Sequence, residues 1–534
     1  MKKALLLFTF LLCCFGLGVA QTLIDGIYYT LDSANGTASV SEVPIGKPKY
    51  TGSISIPKKV VCEGTSYSVT SIGSWAFSYC SGLTSIKIPR SVEAIGNSAF
   101  SGCSGLTSVE IPNSVCGIGD SAFENCMGLT SIEIPKSVRS IGWRAFKNCA
   151  GLTSIKIPRS VGKIGSEAFS GCKGLTSVEI PKSVRSIGER VFENCAGLTS
   201  IEIPKSVKII DNWAFSGCKG LTSIKIPKSV RRMGWGIFAD CSSLTSIVVD
   251  AGNEFFDSRG NCNAIIETSN NILVVGCKNT VVPTSVTRIY GTAFSGCSGL
   301  TSIEIPKSSR FIEYATFEGC TGLTSIKIPK TVITIIDSSF EGCTGLTSIV
   351  IPDSVTSIGR WSFQGCTGLT SIVIPNSVTR IGREAFSNCT GLTSIVIPDS
   401  VTRIEEGVFN GCTGLTSIEI SHSVKSIGYE AFGGCTGLSS IIIPNSVTSI
   451  GWEAFRGCTG LTSIVIPNSV TSIGYFGFAG CTSLTNVKMM CKNPPDAEGY
   501  IFKDCINLKT IYVPKGAKKA YNIAPWNEYE IVEF

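Results

Sequence analysis

A stretch of 23 residues, Gly345-Leu-Thr-Ser-Ile-Val-Ile-Pro-Asp-Ser-Val-Thr-Ser-Ile-Gly-Arg-Trp-Ser-Phe-Gln-Gly-Cys-Thr367, recurs almost unchanged one period later. Its leading leucine returns at Leu83, Leu106, Leu129, Leu152, Leu175, Leu198, Leu221 and Leu244. After an interruption it resumes at Leu300, runs by the same step to Leu484, and has a last copy at Leu508. A fixed period of this length specifies a solenoid, in which each unit buries its apolar face only against its neighbours. Whatever belongs to the repeat is therefore architecture first.

Each unit has a physical reading. In Leu-Thr-Ser-Ile-x-Ile the isoleucines alternate, so they point inward while Ser and x point out of a sheet. Proline then removes an N–H and ends the strand. Ser-Val-x-x-Ile-Gly supplies a second inward pair and a bend. Ala-Phe-x-x-Cys has a helical-turn spacing that places Phe and Cys on one face. Coils so built stack about 4.8 Å apart, as hydrogen-bonded strands do.

The ends depart from the pattern. Met1-Lys-Lys, the apolar run Ala4 to Leu12 and Gly18-Val-Ala before Gln21 form a secretory signal peptide, residues 1–20, with cleavage expected after Ala20. No later stretch has the roughly 18 apolar residues of a membrane helix. Residues 21–70 read as an N-terminal cap, 71–249 as repeats, 250–282 as an interruption, 283–490 as repeats and 491–534 as a C-terminal cap. Capping is needed because terminal coils otherwise expose a hydrophobic face. Within the interruption, two short apolar runs around Ser269-Asn270-Asn271 read as a β-hairpin. Its polar residues Asp250, Asn253, Glu254 and Asp257 lack the alternation of a calcium loop and read as an ordinary loop.

Eighteen of the 25 cysteines occupy one repeat position, Cys80 to Cys241 and Cys297 to Cys481 by 23s, and Cys505. Parallel side chains in a column point the same way, so a ladder of buried free thiols is expected rather than a disulfide framework. Zinc is disfavoured because C-x-x-C spacing is missing. Cys262 with Cys277, flanking the hairpin, is the one pair to test for a disulfide.

The unit Leu-x-x-Ile-x-Ile-Pro-x-Ser-Val-x-x-Ile-Gly-x-x-Ala-Phe-x-x-Cys resembles the BspA-like branch of leucine-rich repeat proteins. So do the opening Asp25-Gly-Ile-Tyr-Tyr and the interruption Asp257-Ser-Arg-Gly-Asn-Cys-Asn-Ala-Ile-Ile-Glu-Thr. The resemblance implies a β-rich, right-handed leucine-rich repeat solenoid with a parallel sheet on its concave face. It also implies a secreted or surface-exposed bacterial protein, and some members of that family bind host matrix proteins such as fibronectin and fibrinogen. The motif describes a scaffold, so function has to be sought in the positions that vary.

Catalysis is disfavoured. The chain has one histidine, His422, on a repeat turn. It has no phosphate-binding glycine loop, no H-E-x-x-H and no off-repeat pair of carboxylates. Neither a cofactor nor a metal is expected. A net charge of +7 with 16% charged residues is too weakly basic to imply nucleic acid.

Two variable columns remain. The outward x of the first strand is charged at Lys87, Glu110, Glu133, Lys156, Glu179, Glu202 and Lys225, read as an alternation of signs that suits stacked charges. It then turns apolar at Val350, Val373, Val396, Ile442 and Val465, broken by Glu419. That strip reads either as good sheet chemistry or as a site for an extracellular protein. The position after proline carries Lys136, Arg159, Lys182, Lys205 and Lys228, a basic stripe that could hold an anionic glycan or simply keep a face solvated. Trp75, Trp143, Trp213, Trp235, Trp361 and Trp452, with Tyr290, Tyr314, Tyr429 and Tyr475, fall in the turn ahead of Phe and are expected to cover coil edges. The readings are thus an adhesin-like protein binder, a binder of anionic carbohydrate, or a passive surface component.

Overall fold

The structure, a computed structural model, describes residues 21–497 and 499–534. The signal peptide expected at 1–20 lies outside the described residues. The chain divides into two compact units, Met1–Phe238 and Ala239–Phe534. Both are β-solenoids of parallel strands with almost no helix, the leucine-rich repeat architecture.

In the first unit, Gln21–Ile24, Ile27–Asp32 and Thr37–Val40 form an antiparallel meander. Thr65–Ile72 joins it parallel to Thr37–Val40 and also pairs antiparallel with Lys59–Cys62. From there the coils stack in two columns. One holds Leu83–Lys87, Ser108–Glu110, Ser131–Glu133, Ser154–Lys156 and Ser177–Glu179. The other holds the two-residue strands Ala94–Ile95, Gly117–Ile118, Ser140–Ile141 and Lys163–Ile164. Register advances by one repeat per coil, with Ser85 opposite Ser108 and Ile86 opposite Val109.

The second unit contains an antiparallel pair, Ile265–Glu267 with Ile272–Val275, which Arg288–Ile289 joins in parallel. Its strand columns then run through Ser348–Val350, Ser371–Val373, Ser394–Val396 and Ser417–Glu419, and through Arg403–Ile404, Ser426–Ile427, Ser449–Ile450 and Ser472–Ile473. Ser463–Ile466, Asn486–Met489, Thr510–Val513 and Glu530–Glu533 close the first column.

Inside, like stacks on like. Leu, both Ile of the first strand, Val and Ile of the second, Phe and Cys are each buried in coil after coil. The Phe rings lie parallel, for example Phe146 on Phe169 with centroids 5.5 Å apart and planes 1° apart. Tyr50, tilted by 50° on Phe77, begins the column in the first unit. Trp526, edge-on to Phe502, ends it in the second.

The Ala-Phe-x-x-Cys segment is not a helical turn. It is a run of β-turns in which N–H groups alternate between local and inter-coil partners. Ala76, Ser78 and Cys80 N–H donate to the carbonyls of Gly73, Trp75 and Phe77 within the coil, whereas Trp75, Phe77 and Tyr79 N–H donate to Asn97, Ala99 and Ser101 of the next. Two residues per coil adopt positive φ, at the positions before Ala and before Cys, such as Arg144 at 53° and Asn148 at 58°. A type II turn requires positive φ at its third residue, which is why Gly, Asn or Asp precedes most of the column cysteines. The i, i+3 spacing of Phe and Cys belongs to the β-turn here, not to a helix.

The column thiols complete this ladder. Most donate to the carbonyl of a Phe in the preceding coil, as Cys389 does to Phe363 at 3.0 Å and Cys412 to Phe386 at 3.1 Å, whereas Cys80 and Cys297, which head their runs, donate to the Ser78 and Gly276 carbonyls at 3.9 Å. Burial pushes most of these thiols above the ordinary range, to about 12 for Cys412, while a hydrogen bond with Cys481 moves Cys505 the other way. Cys262 and Cys277 are free and buried. Their thiols point to different carbonyls, Ala264 at 3.8 Å and Asn263 at 3.3 Å, and the pair singled out for a disulfide is not bonded. Repeat hydroxyls serve the same stacking. Ser377 Oγ donates to the Val355 carbonyl at 2.7 Å, and Thr370 Oγ1 to the Thr347 carbonyl at 3.4 Å.

Candidate functional site

With interior and hydroxyl columns committed to stacking, three surfaces remain. The first is the apolar strip of the second unit. Val350 and Val373 sit in direct register, Val396 follows, Glu419 pairs with Val396, and Ile442 bridges to Val465. Their exposures are 79% for Val350, 78% for Val373, 55% for Val396, 80% for Ile442 and 47% for Val465. The strip is bounded by charge: Lys327 pairs with Val350 at one end and Lys488 with Val465 at the other. Single exposed aliphatics are ordinary on a protein surface, but runs of three and two stacked in one column, separated only by Glu419, are not.

The corresponding column of the first unit is charged, and its signs do not simply alternate. Glu110 lies beside Glu133 and Glu179 beside Glu202, while Lys156 stands between Glu133 and Glu179. None of Lys87, Glu110, Glu133, Lys156, Glu179 and Glu202 is in an ion pair among the described residues.

The second surface is the basic stripe. Lys136, Arg159, Lys182, Lys205 and Lys228 are all exposed, one per coil. A groove of about 570 Å³ is lined by Arg159, Lys182, Arg185 and Lys205, and also by Glu179 and Glu202. The two carboxylates reduce the positive potential that a polyanion would meet.

The third surface was not legible as a site in the sequence. In the second unit a groove of about 410 Å³ has Ser426, Ser449, Gly428 and Gly451 along it, Arg403 as its charged member, and Tyr429 and Trp452 beside them. Tyr429 is 40% and Trp452 55% exposed. The signal available was a run of aromatics, Tyr429, Trp452 and Tyr475, at one turn position in three successive coils. Elsewhere such aromatics do cover coil edges: the Arg144 guanidinium lies 3.9 Å over Trp143, and Arg190 4.6 Å over Trp213.

No reactive constellation gathers around His422. It is exposed, and the adjacent Ser421 hydroxyl is occupied by Asp399 Oδ1 at 2.5 Å. In the interruption Asp257 is engaged by Arg259, and Asn253 Oδ1 accepts from the N–H groups of Phe255 and Phe256. Among the described residues no three acids, histidines or cysteines converge as metal ligands would, and no helix is long and apolar enough to cross a membrane.

The fold is that of a leucine-rich repeat protein. Within that class, the family model described as BspA type leucine rich repeat region matches residues 62–175, 140–265, 276–393, 334–459 and 402–529, and the chain belongs to this family. Among solved structures it is similar to a leucine rich cell surface protein from Faecalibacterium prausnitzii A2-165, with 30% identity, coverage of 75% of this chain and 95% of that one, and a TM-score of 0.53. A leucine-rich repeat protein from Bacteroides ovatus ATCC 8483 is 28% identical over 96% of this chain and 99% of that one, with a TM-score of 0.35. The leucine rich repeat protein of T. pallidum is 26% identical over 42% of this chain and 91% of that one, with a TM-score of 0.33. No curated protein sequence matches the chain significantly.

Proposed function

We propose that this chain is a secreted or cell-surface binding protein, adhesin-like in role, that engages an extracellular protein through the first-strand face of its second unit. The contact is built on Val350, Val373, Val396, Ile442 and Val465. The observation that carries this reading is the bounded strip itself: three and then two outward aliphatics in one column, interrupted once by Glu419, with lysines where it begins and ends. Covering them removes apolar area from water at about 25 cal/mol per Å². Membership of a family of binding repeats supports a non-catalytic role, and the cell-surface relative supports an extracellular location. Host matrix proteins are the first partners to screen. In surface plasmon resonance, Val373→Lys with Val396→Lys should keep the fold and weaken a protein ligand, while Lys182→Glu with Lys205→Glu leaves it unchanged. The reverse outcome refutes the strip.

A second reading rests on the groove at Arg159, Lys182, Arg185 and Lys205, whose cations are in no ion pair among the described residues. It would take an anionic glycan, and such binding would fall steeply with ionic strength where the strip's would not.

A further inference from the structure

We propose that the groove at Tyr429 and Trp452 is a subsite for neutral oligosaccharide, with pyranose rings stacked on the two aromatic side chains. The inference stands apart from the protein-binding strip, which lies on the other strand column.

Four observations point to sugar. The concavity, about 410 Å³, falls within the size range of small-molecule sites. Two large aromatic side chains are left exposed on adjacent coils, although burying such surface is favourable. Trp452 is held in place from beneath: a Cβ on Gly474 would lie 2.3 Å from its Cδ1, so the indole rests against the backbone of the next coil. It is therefore an oriented platform rather than a loose side chain, which lowers the ordering cost of binding. Finally, Ser426 and Ser449 are neighbours in register and half-buried, and neither hydroxyl is engaged in a hydrogen bond, unlike the serines that follow proline. Free hydroxyls beside aromatic faces suit a ligand with C–H faces and an O–H rim, since each hydroxyl both donates and accepts.

Spacing separates sugar from peptide. Successive aromatics are one coil apart, and chains of pyranose rings repeat at about 5 Å, close to the coil spacing of about 4.8 Å. A polyproline helix rises about 3.1 Å per residue and repeats about every 9.3 Å, so it can match every second coil but not the adjacent coils that carry Tyr429 and Trp452. Charge favours a neutral ligand. Arg403 is the only cation along this groove and faces Glu405 at 3.4 Å. The same second-strand column supplies an internal contrast. Around Thr334, Ser357 and Arg380 a groove of about 290 Å³ has Asp337 and Arg360 at the turn positions that Tyr429 and Trp452 occupy later. Only the later groove carries stacking surfaces.

The test is isothermal titration of the full mature chain with cellotetraose, maltotetraose and mannotetraose at millimolar concentration, with decaproline as the competing peptide probe. At least one tetrasaccharide should bind, and Tyr429→Ala and Trp452→Ala should each weaken it by about tenfold or more. Ser449→Val, which keeps both rings and suits a strand, should also weaken it with hydrogen-exchange protection around residues 426–475 unchanged, so the result does not depend on the aromatic variants folding. Trp143→Ala, in the first unit, should change nothing. The proposal is overturned if no tetrasaccharide binds, if binding survives both Trp452→Ala and Ser449→Val, or if decaproline alone binds in a Trp452-dependent manner.

Discussion

Truncating one ring of the phenylalanine column tests the architecture most directly. Phe386 is fully buried, with Phe363 5.4 Å away on one side and Phe409 5.8 Å away on the other. Replacing it with alanine loses a buried aromatic side chain worth about 2–3 kcal/mol in transfer from water. The space left behind, on the order of 100 Å³, adds up to about 2 kcal/mol if the coils do not close over it. They have little freedom to do so. The backbone at Phe386 is tied to Val408 and Cys389, and its carbonyl also holds the Cys412 thiol. The expected cost is therefore about 3–5 kcal/mol, the usual range for a buried Phe→Ala change. Because each coil contacts only its neighbours, the cost should be local. A single melting temperature is a poor readout for such an array, so the assay is hydrogen exchange followed by mass spectrometry. Peptides spanning 359–412 should lose protection by about a hundredfold or more, while those before 330 and after 440 change little. A loss smaller than about 1 kcal/mol, or one spread evenly along the second unit, would show that the column is neither tightly packed nor coupled between neighbours.

Other outcomes follow from the same geometry. In the chain from Gln21 onward, native thiol labelling should modify exposed Cys116 first and half-buried Cys62 more slowly, with the column reacting only after denaturation; fast labelling of Cys297 to Cys481 in the native protein would refute the buried ladder. Gly434, at φ 68°, should accept Asn, which several coils carry at that position, but Gly434→Val should lower stability by about 1–3 kcal/mol, as a β-branched residue does at positive φ. Burial raises the Glu167 pKa, but the hydrogen bonds from Arg144 and Lys147 outweigh it, so the carboxyl is held below the ordinary glutamate value. Its stabilisation should be present above that ordinary value and lost as pH falls through the depressed one, and exchange protection near 144–170 should report it. Glu318 has the opposite sign. Burial, then Glu341 and Asp240, raises its pKa. Protection around it should rise as pH drops through the raised value toward the ordinary one, and Glu318→Gln should abolish that rise.

Much of this could be read from the sequence because one period governs it. The alternating isoleucines, the proline stop and the Val-x-x-Ile pair each predicted an inward residue, and Ile86, Ile88, Val92 and Ile95 are all buried. The Phe-x-x-Cys spacing misled because successive β-turns and a helical turn share an i, i+3 repeat. The Gly or Asn before cysteine was the sign of positive φ that separates them. The aromatic groove was hidden for a different reason. Ser426, Tyr429, Ser449 and Trp452 belong to two repeat positions in two coils, and a concavity between columns is not a property of either column read alone.

The alternation of local and inter-coil bonds in the turn column has a consequence for how such a chain changes length. Within each uninterrupted run, every coil offers the next an equivalent set of carbonyls and the same Phe, Cys and Leu seats, so one 23-residue unit is interchangeable with another at its boundaries. Losing residues 368–390 would bring Thr367 to Gly391, the same junction that Thr367 makes with Gly368. Recombination between near-identical units could therefore shorten or extend the array while preserving register on both sides. What changes is the outer inventory, the number of valines in a row or the neighbours of an aromatic pair. The scaffold is in this sense a ruler: its graduations are set by stacking, and selection can act on the marks written beside them.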